Sequence, residues 1–144
     1  MEESFSIKFI KVILNLTIFL CGFILLTVIF GSILFIKEIS YIDSAIYILT
    51  YSVFFIIVYN LIKIVYSINS NPFTLENVKC FKIIGCLIIF LSFIDAIVNF
   101  KKPSDFLLWG SENISSLVLG FMALVLAEIF KKAVKIKDEN DLTI

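Results

Sequence analysis

Residues 12–36 read VILNLTIFLCGFILLTVIFGSILFI, and none of these 25 residues carries a charge. An α-helix rises about 1.5 Å per residue, so about 20 apolar residues cross a hydrocarbon core about 30 Å thick. The run is also longer than the apolar region of a signal peptide, which spans about 7–15 residues. We therefore interpret it as an uncleaved first membrane span.

Three further apolar stretches follow at 44–62, 83–100 and 114–130, and the last two each contain one acidic residue. Twelve Ile, Leu, Phe or Val residues in 83–100 contribute about −5 kcal/mol to insertion. One aspartate near a helix centre costs about +3 kcal/mol, so insertion remains favourable. The sequence predicts an all-α integral membrane four-helix bundle in a single domain over 1–144, with spans at roughly 10–36, 44–65, 80–100 and 111–131.

The lysines divide unequally between the two sides of these spans. Nine fall on one side: Lys8, Lys11, Lys63, Lys79, Lys82, Lys131, Lys132, Lys135 and Lys137. The other side has three: Lys37, Lys101 and Lys102. By the positive-inside rule, both termini, the loop 66–79 and the tail 132–144 face the cytoplasm.

Several function classes are disfavoured by what the composition omits. The chain has no histidine and no arginine, since all twelve basic residues are lysines. Arginine does much of the work in reading nucleic acids, so we predict no direct nucleic-acid binding. Histidine is the commonest metal ligand and general base. We therefore predict no metal, no cofactor, no catalytic residue and no enzymatic activity, since no nucleophile–base pair or phosphate loop is present.

Polar residues inside the apolar stretches are the first functional candidates, because they are costly in lipid. Ser92, Asp95 and Asn99 recur with Gly85 at helical spacing, so they share one face that we expect to point into the bundle. A second polar layer toward the inner end would comprise Asn15, Asn60 and Glu128. Glu128 has the i,i+4 spacing for an ion pair with Lys132. Two interpretations stand: hydrogen bonding between helices, or an ion or proton site.

The fourth stretch contains a stripe of small residues, which are Ser116, Gly120, Ala123 and Ala127. Small side chains let another helix backbone approach closely. The stripe therefore predicts a helix-packing surface, used either within the chain or as the seam of a homodimer.

The loop between the second and third stretches has its own motif: Asn71, Pro72, Phe73, Thr74, Glu76 and Asn77. Asn71 precedes Pro72 and is therefore biased toward an extended conformation. Thr74 is a suitable N-cap for the next helix, and Glu76 lies near its positive end. The motif predicts a hinge followed by a helix start.

These features together resemble a bacterial membrane family catalogued as domain of unknown function 2975. The resemblance rests on the loop motif, on Ile84-Gly85 and on Ala127-Glu128-Ile129-Phe130-Lys131. It also rests on the terminal motif Asp141, Leu142, Thr143 and Ile144. It covers the whole chain in order, although lysine stands here where the family often has arginine and Ala133 where it often has glycine. The family implies a four-span bacterial membrane protein without established catalytic activity, often encoded beside a small helix-turn-helix regulator.

Two functional hypotheses follow. The first is a non-enzymatic partner in the bacterial cell membrane that binds or restrains a cytoplasmic helix-turn-helix transcription regulator. The loop motif and the tail after Lys131 would form the contact surface. The second is a small transporter or channel subunit that uses the intramembrane acids Asp95 or Glu128.

Overall fold

The computed structural model describes residues 5–35, 40–99 and 103–141, with side chains described over 5–35, 40–98 and 113–140. Its four elements in chain order are α1 (Phe5–Leu34), α2 (Tyr41–Ser67), α3 (Leu75–Asn99) and α4 (Pro103–Asp141). Each contains a segment long and apolar enough to cross a membrane, which indicates a multi-pass membrane protein. The predicted all-α class with four such helices is confirmed. The orientation of the termini and the bilayer limits of the spans stay predictions.

The chain divides into two compact units, Met1–Tyr66 and Ser67–Ile144. We call them unit 1 and unit 2. Unit 1 contains α1 and nearly all of α2, and unit 2 contains the following loop with α3 and α4. The single membrane domain expected over 1–144 stays a prediction.

In unit 1, α1 and α2 meet through the ends of long side chains. The Asn15 side-chain amide donates a hydrogen bond to the Tyr66 hydroxyl at 3.0 Å. The Lys11 ammonium lies 4.6 Å from the centroid of the Tyr66 ring. A methyl group added at Gly22 would meet the Phe55 ring at 3.6 Å, which is ordinary van der Waals contact. No residue of α1 is buried, so this helix offers apolar surface along its whole length.

In unit 2, α3 and α4 form an antiparallel pair whose backbones touch near the middle. A Cβ atom added to Gly85 would lie 2.8 Å from the carbonyl oxygen of Gly120, and one added to Gly120 would lie 2.6 Å from Ile89. Such an approach requires glycine on both helices, because any side chain would hold them apart. The small-residue stripe of α4 therefore faces α3 at this level.

Two features define the end of unit 2 that contains the loop motif: where α3 begins and how far α4 extends. The backbone N–H of Asn77 donates to the Thr74 hydroxyl at 3.2 Å, which confirms Thr74 as the N-cap of α3. α4 has 39 residues and is therefore about 58 Å long. That is about twice the thickness of a hydrocarbon core, so part of α4 must extend beyond it.

Candidate functional site

The candidate site is the end of unit 2 formed by residues 67–82 and 127–140, which we call the junction. Its loop is organised around the side chain of Asn77, which is only 2% exposed. The Asn77 side-chain amide donates to the Ser67 hydroxyl at 2.6 Å and to the Pro72 carbonyl at 2.7 Å. One buried side chain thus ties the last residue of α2 and the middle of the loop to the first turn of α3. The loop motif is a folded element with a defined path.

An aromatic cluster joins this loop to α4. The Phe130 ring of α4 lies 5.7 Å from the Phe73 ring of the loop and 4.9 Å from the Phe81 ring of α3, measured between centroids. Tilted aromatic pairs at such distances contribute about 0.5–1.5 kcal/mol each beyond the area they bury. The cluster therefore holds the loop motif against the Ala127–Lys131 segment, although the two are about 50 residues apart in the sequence.

A small apolar core underlies the cluster. Val78 of α3 is buried with Ala127 and Val134 of α4, and Ala127 is completely buried. Because the side chain of Ala127 is small, α3 and α4 can approach each other closely at this level. The last member of the small-residue stripe thus belongs to the junction.

Glu128 lies at the edge of the junction and bridges the two helices. Its carboxylate is 3.2 Å from the Lys82 ammonium of α3 and 3.9 Å from the Lys131 ammonium of α4. The expected partner one turn away, Lys132, is not within ion-pair distance. About half of each of these side chains is exposed, so solvent screening keeps the stabilisation small. The contact between Lys82 and Glu128 shows that these two residues lie at the same level of the α3–α4 pair.

Asp95 lies far from the junction, toward the other end of unit 2. Its carboxylate accepts a hydrogen bond from the Asn113 side-chain amide of α4 at 3.0 Å. Asn113 is buried, whereas Asp95 is exposed. The Asp95–Asn113 pair connects α3 and α4 on the side of the Gly85–Gly120 contact that is away from the junction. The face of α3 that includes Gly85 and Asp95 therefore packs on α4.

The other candidate polar residues have more local partners. The Asn60 side-chain amide donates to the Ile56 carbonyl, and the Ser92 hydroxyl donates to the Ile88 carbonyl, each within its own helix. Asn15 bonds Tyr66, as described for unit 1. The second polar layer combines residues of both units and stays a prediction.

Some candidates lie outside what the structure describes. The side chains of Asn99 and Asp141 are among them, although both residues belong to helices. Leu142, Thr143 and Ile144 of the terminal motif are not described at all. Within the small-residue stripe, Gly120, Ala123 and Ala127 are buried and Ser116 is partly buried.

The sequence did not identify four residues as partners in these contacts, which are Phe81, Lys82, Asn113 and Phe130. A usable signal existed for two of them. Lys82 and Glu128 both lie where an apolar stretch meets the lysine-rich side. The sequence therefore indicates that the two residues lie at a similar depth in the membrane. Asn113 directly precedes the fourth apolar stretch, at the depth expected for Asp95. The aromatic cluster had no such signal, because phenylalanines occur throughout the chain.

The family described as "Protein of unknown function (DUF2975)" matches residues 7–144. The chain belongs to this family. The match includes the loop motif, the Glu128 segment and the terminal motif, so the resemblance seen in the sequence is confirmed. No curated protein and no solved structure matches the chain. Within this DUF2975 protein, the structure brings the loop motif and the Glu128 segment into contact through Phe73 and Phe130.

Proposed function

We propose that this chain is a non-enzymatic multi-pass protein of the bacterial cell membrane whose junction binds a soluble cytoplasmic protein. The partner we propose is a helix-turn-helix transcription regulator, which the protein would restrain at the membrane. The observation that carries the proposal is the contact of Phe73 with Phe130, which joins two distant sequence motifs into one ordered surface. A preorganised surface loses little conformational entropy on binding, which favours a docking role.

The predicted location of the junction on the cytoplasmic side of the membrane supports a cytoplasmic partner. Lys79, Lys82, Lys131 and Lys132 all lie in or beside the junction. The positive-inside rule assigns such lysine-rich ends to the cytoplasm. A transcription regulator is available only on that side, so the orientation and the proposed partner agree.

Exposed apolar side chains at the junction supply contact area. Phe73 is 43% exposed although its ring touches Phe130, and Ile136 of α4 is 58% exposed. Leu75, at the first position of α3, is exposed as well. Ile136 follows the lysine pair 131–132 by about one turn, which places it beyond the apolar part of α4. Apolar groups grouped outside the hydrocarbon region are typical of protein-binding surfaces.

Co-purification tests the proposal. The full chain, carrying an affinity tag, is expressed with the regulator encoded beside it and purified in mild detergent. We expect the wild-type chain to retain the regulator. Ile136→Ser should lower the retained fraction severalfold, because Ile136 is exposed at the junction. Val118→Ser is the matched control, since it removes an exposed aliphatic side chain from the membrane part of the same helix. No retention by the folded wild-type chain, or equal loss in both variants, would refute the proposal.

The alternative function is a small transporter or channel subunit. The observation in its favour is Asp95, whose exposed carboxylate lies within a candidate span and is bonded to Asn113. Intramembrane carboxylates commonly mark ion or proton pathways. Flux of protons or monovalent cations into proteoliposomes distinguishes the two functions. We expect no flux above that of empty vesicles, which would support the docking role. A flux that Asp95→Asn abolishes would instead favour transport.

A further inference from the structure

Two side chains of α1 meet the side chain of Tyr66 at one end of unit 1. The Asn15 side-chain amide donates a hydrogen bond to the Tyr66 hydroxyl at 3.0 Å. The Lys11 ammonium lies 4.6 Å from the centroid of the Tyr66 ring, where the negative face of the ring attracts the cation. These two contacts bring an ammonium group and a phenol together from different helices. We call Lys11, Asn15 and Tyr66 the Tyr66 site.

The Tyr66 hydroxyl is able to donate a further hydrogen bond. A phenolic hydroxyl accepts hydrogen bonds and also has one proton to donate. In the bond with Asn15 the Tyr66 oxygen is the acceptor, so the hydroxyl proton points elsewhere. In the part of the chain that the structure describes, this proton has no acceptor. Because Tyr66 is 50% exposed, a group outside the protein can reach the proton.

The Tyr66 site lies where two apolar stretches end. Lys11 directly precedes the uncharged run 12–36, and Tyr66 follows the apolar stretch 44–62 on the same predicted side. Lysine and tyrosine at such an edge keep their apolar parts against hydrocarbon and place their polar ends among the lipid headgroups. On the next turns of α1, Val12 and Leu16 are exposed and offer apolar surface to acyl chains.

The segments that form the site carry positive charge. Lys8 is exposed one turn before Lys11 on α1. The sequence of α1 contains no acidic residue, and that of α2 contains only Asp43 at its opposite end. Lysines next to a membrane helix attract anionic lipid, with a strength that falls as salt screens the charges. The site therefore combines a hydrogen-bond donor with basic residues at the level of the lipid phosphates.

We infer that the Tyr66 site binds the phosphate of an anionic phospholipid. The Tyr66 hydroxyl and the Lys11 ammonium each donate a hydrogen bond to the phosphate, and Lys8 adds attraction from one turn away. An ammonium has three N–H donors, so Lys11 can face the ring and still donate to a phosphate. The site lies within unit 1 and is independent of the regulator proposed for the junction.

Native mass spectrometry of the full chain in a neutral detergent tests this inference. The protein is titrated with phosphatidylglycerol or phosphatidylcholine, and the apparent Kd of the tightest-bound lipid is measured. We expect the wild-type chain to bind phosphatidylglycerol at least about threefold more tightly, because phosphatidylcholine has no net charge. Lys11→Gln should weaken phosphatidylglycerol binding about fivefold, the contribution of one lysine near a membrane surface. Tyr66→Phe should weaken it about threefold, since it removes one hydrogen-bond donor and keeps the ring.

A second lysine–tyrosine pair supplies matched controls. The Lys63 ammonium lies 5.1 Å from the centroid of the Tyr59 ring, and both residues belong to α2. Lys63→Gln and Tyr59→Phe remove the same groups on the same predicted side, so they should leave the affinity for phosphatidylglycerol nearly unchanged. Equal losses in the two lysine variants would show a simple net-charge effect and overturn the site. Wild-type affinity in Tyr66→Phe would overturn it as well.

Inorganic phosphate distinguishes a lipid headgroup from a free anion. At equal ionic strength, inorganic phosphate should displace bound phosphatidylglycerol no more than chloride does. Specific displacement by phosphate would instead assign the Tyr66 site to a free anion and contradict lipid binding.

Discussion

The two helix pairs of this protein are joined by different means. In unit 2, α3 and α4 contact each other through the Asp95–Asn113 hydrogen bond, the Gly85–Gly120 backbone contact and the junction. In unit 1, the described contacts between α1 and α2 come from long side chains, such as Asn15 reaching Tyr66. The backbone approaches closely in one pair, while long side chains make the described contacts in the other.

This difference shows what determines helix packing when lipid removes the hydrophobic driving force. Lipid is as apolar as leucine, so large aliphatic side chains give little preference for one neighbour over another. Small residues and paired polar groups do give such a preference, because their contacts cannot be replaced by lipid. Unit 2 has both kinds among its described side chains. We therefore expect its packing to respond to single substitutions far more than that of unit 1.

The largest effect should come from glycine-to-alanine substitutions. Gly85→Ala would place a Cβ atom 2.8 Å from the Gly120 carbonyl oxygen and from the Leu124 side chain. Overpacking of this kind costs about 1–3 kcal/mol. In unit 1, a Cβ atom at Gly31 meets nothing within 4 Å, so Gly31→Ala should be neutral or slightly stabilising. Unfolding by sodium dodecyl sulfate, followed by circular dichroism, measures both. A destabilisation at Gly31 as large as that at Gly85 would remove the contrast between the units.

Asparagine-to-alanine substitutions should give the next largest difference. Asn77→Ala removes hydrogen bonds to Ser67 and Pro72 from a buried position, at a cost of about 1–2 kcal/mol. Asn15→Ala removes one exposed hydrogen bond to Tyr66, so its cost should be about 0.5 kcal/mol. Hydrogen exchange of residues 68–76 should accelerate only in Asn77→Ala. Unchanged protection of that loop would mean that Asn77 does not hold it.

A smaller difference should separate two buried amides within the candidate spans. Asn113→Leu removes the hydrogen-bond donor of Asp95 on the neighbouring helix, which should cost about 0.5–1.5 kcal/mol. Asn60→Leu removes a bond to the Ile56 carbonyl of its own helix, and that carbonyl keeps its helical partner. We expect Asn60→Leu to have little effect on the same detergent unfolding curve. The reverse order of the two costs would contradict the account of unit 2.

The smallest effect should come from Glu128→Gln, which removes the ion pairs with Lys82 and Lys131. These side chains are about half exposed, so screening limits what the pairs contribute. We expect a slightly lower midpoint of thermal unfolding at low salt, and no difference from wild type at high salt. A large, salt-independent loss would show that Glu128 is instead buried in the folded protein.

Much of the fold was predictable because its signals are local. Uninterrupted apolar runs predicted the four helices, and Thr74 before Leu75 predicted the start of α3. The partner of Glu128 was not predicted correctly, because the sequence suggested Lys132 on the same helix while Lys82 on the neighbouring helix is closer. Spacing along one helix determines which residues share a face, but not how two helices are rotated and shifted against each other. The pairing of Asn113 with Asp95 and of Phe130 with Phe73 depends on that second relation.

The orientation of unit 2 is the central claim, because the proposed regulator can reach the junction only from the cytoplasm. Reporters fused after Ile144 test it most directly, with green fluorescent protein active in the cytoplasm and alkaline phosphatase active outside it. The account predicts bright fluorescence and an inactive phosphatase. An active phosphatase with a dark fluorescent protein would place the junction outside the cell and contradict the account.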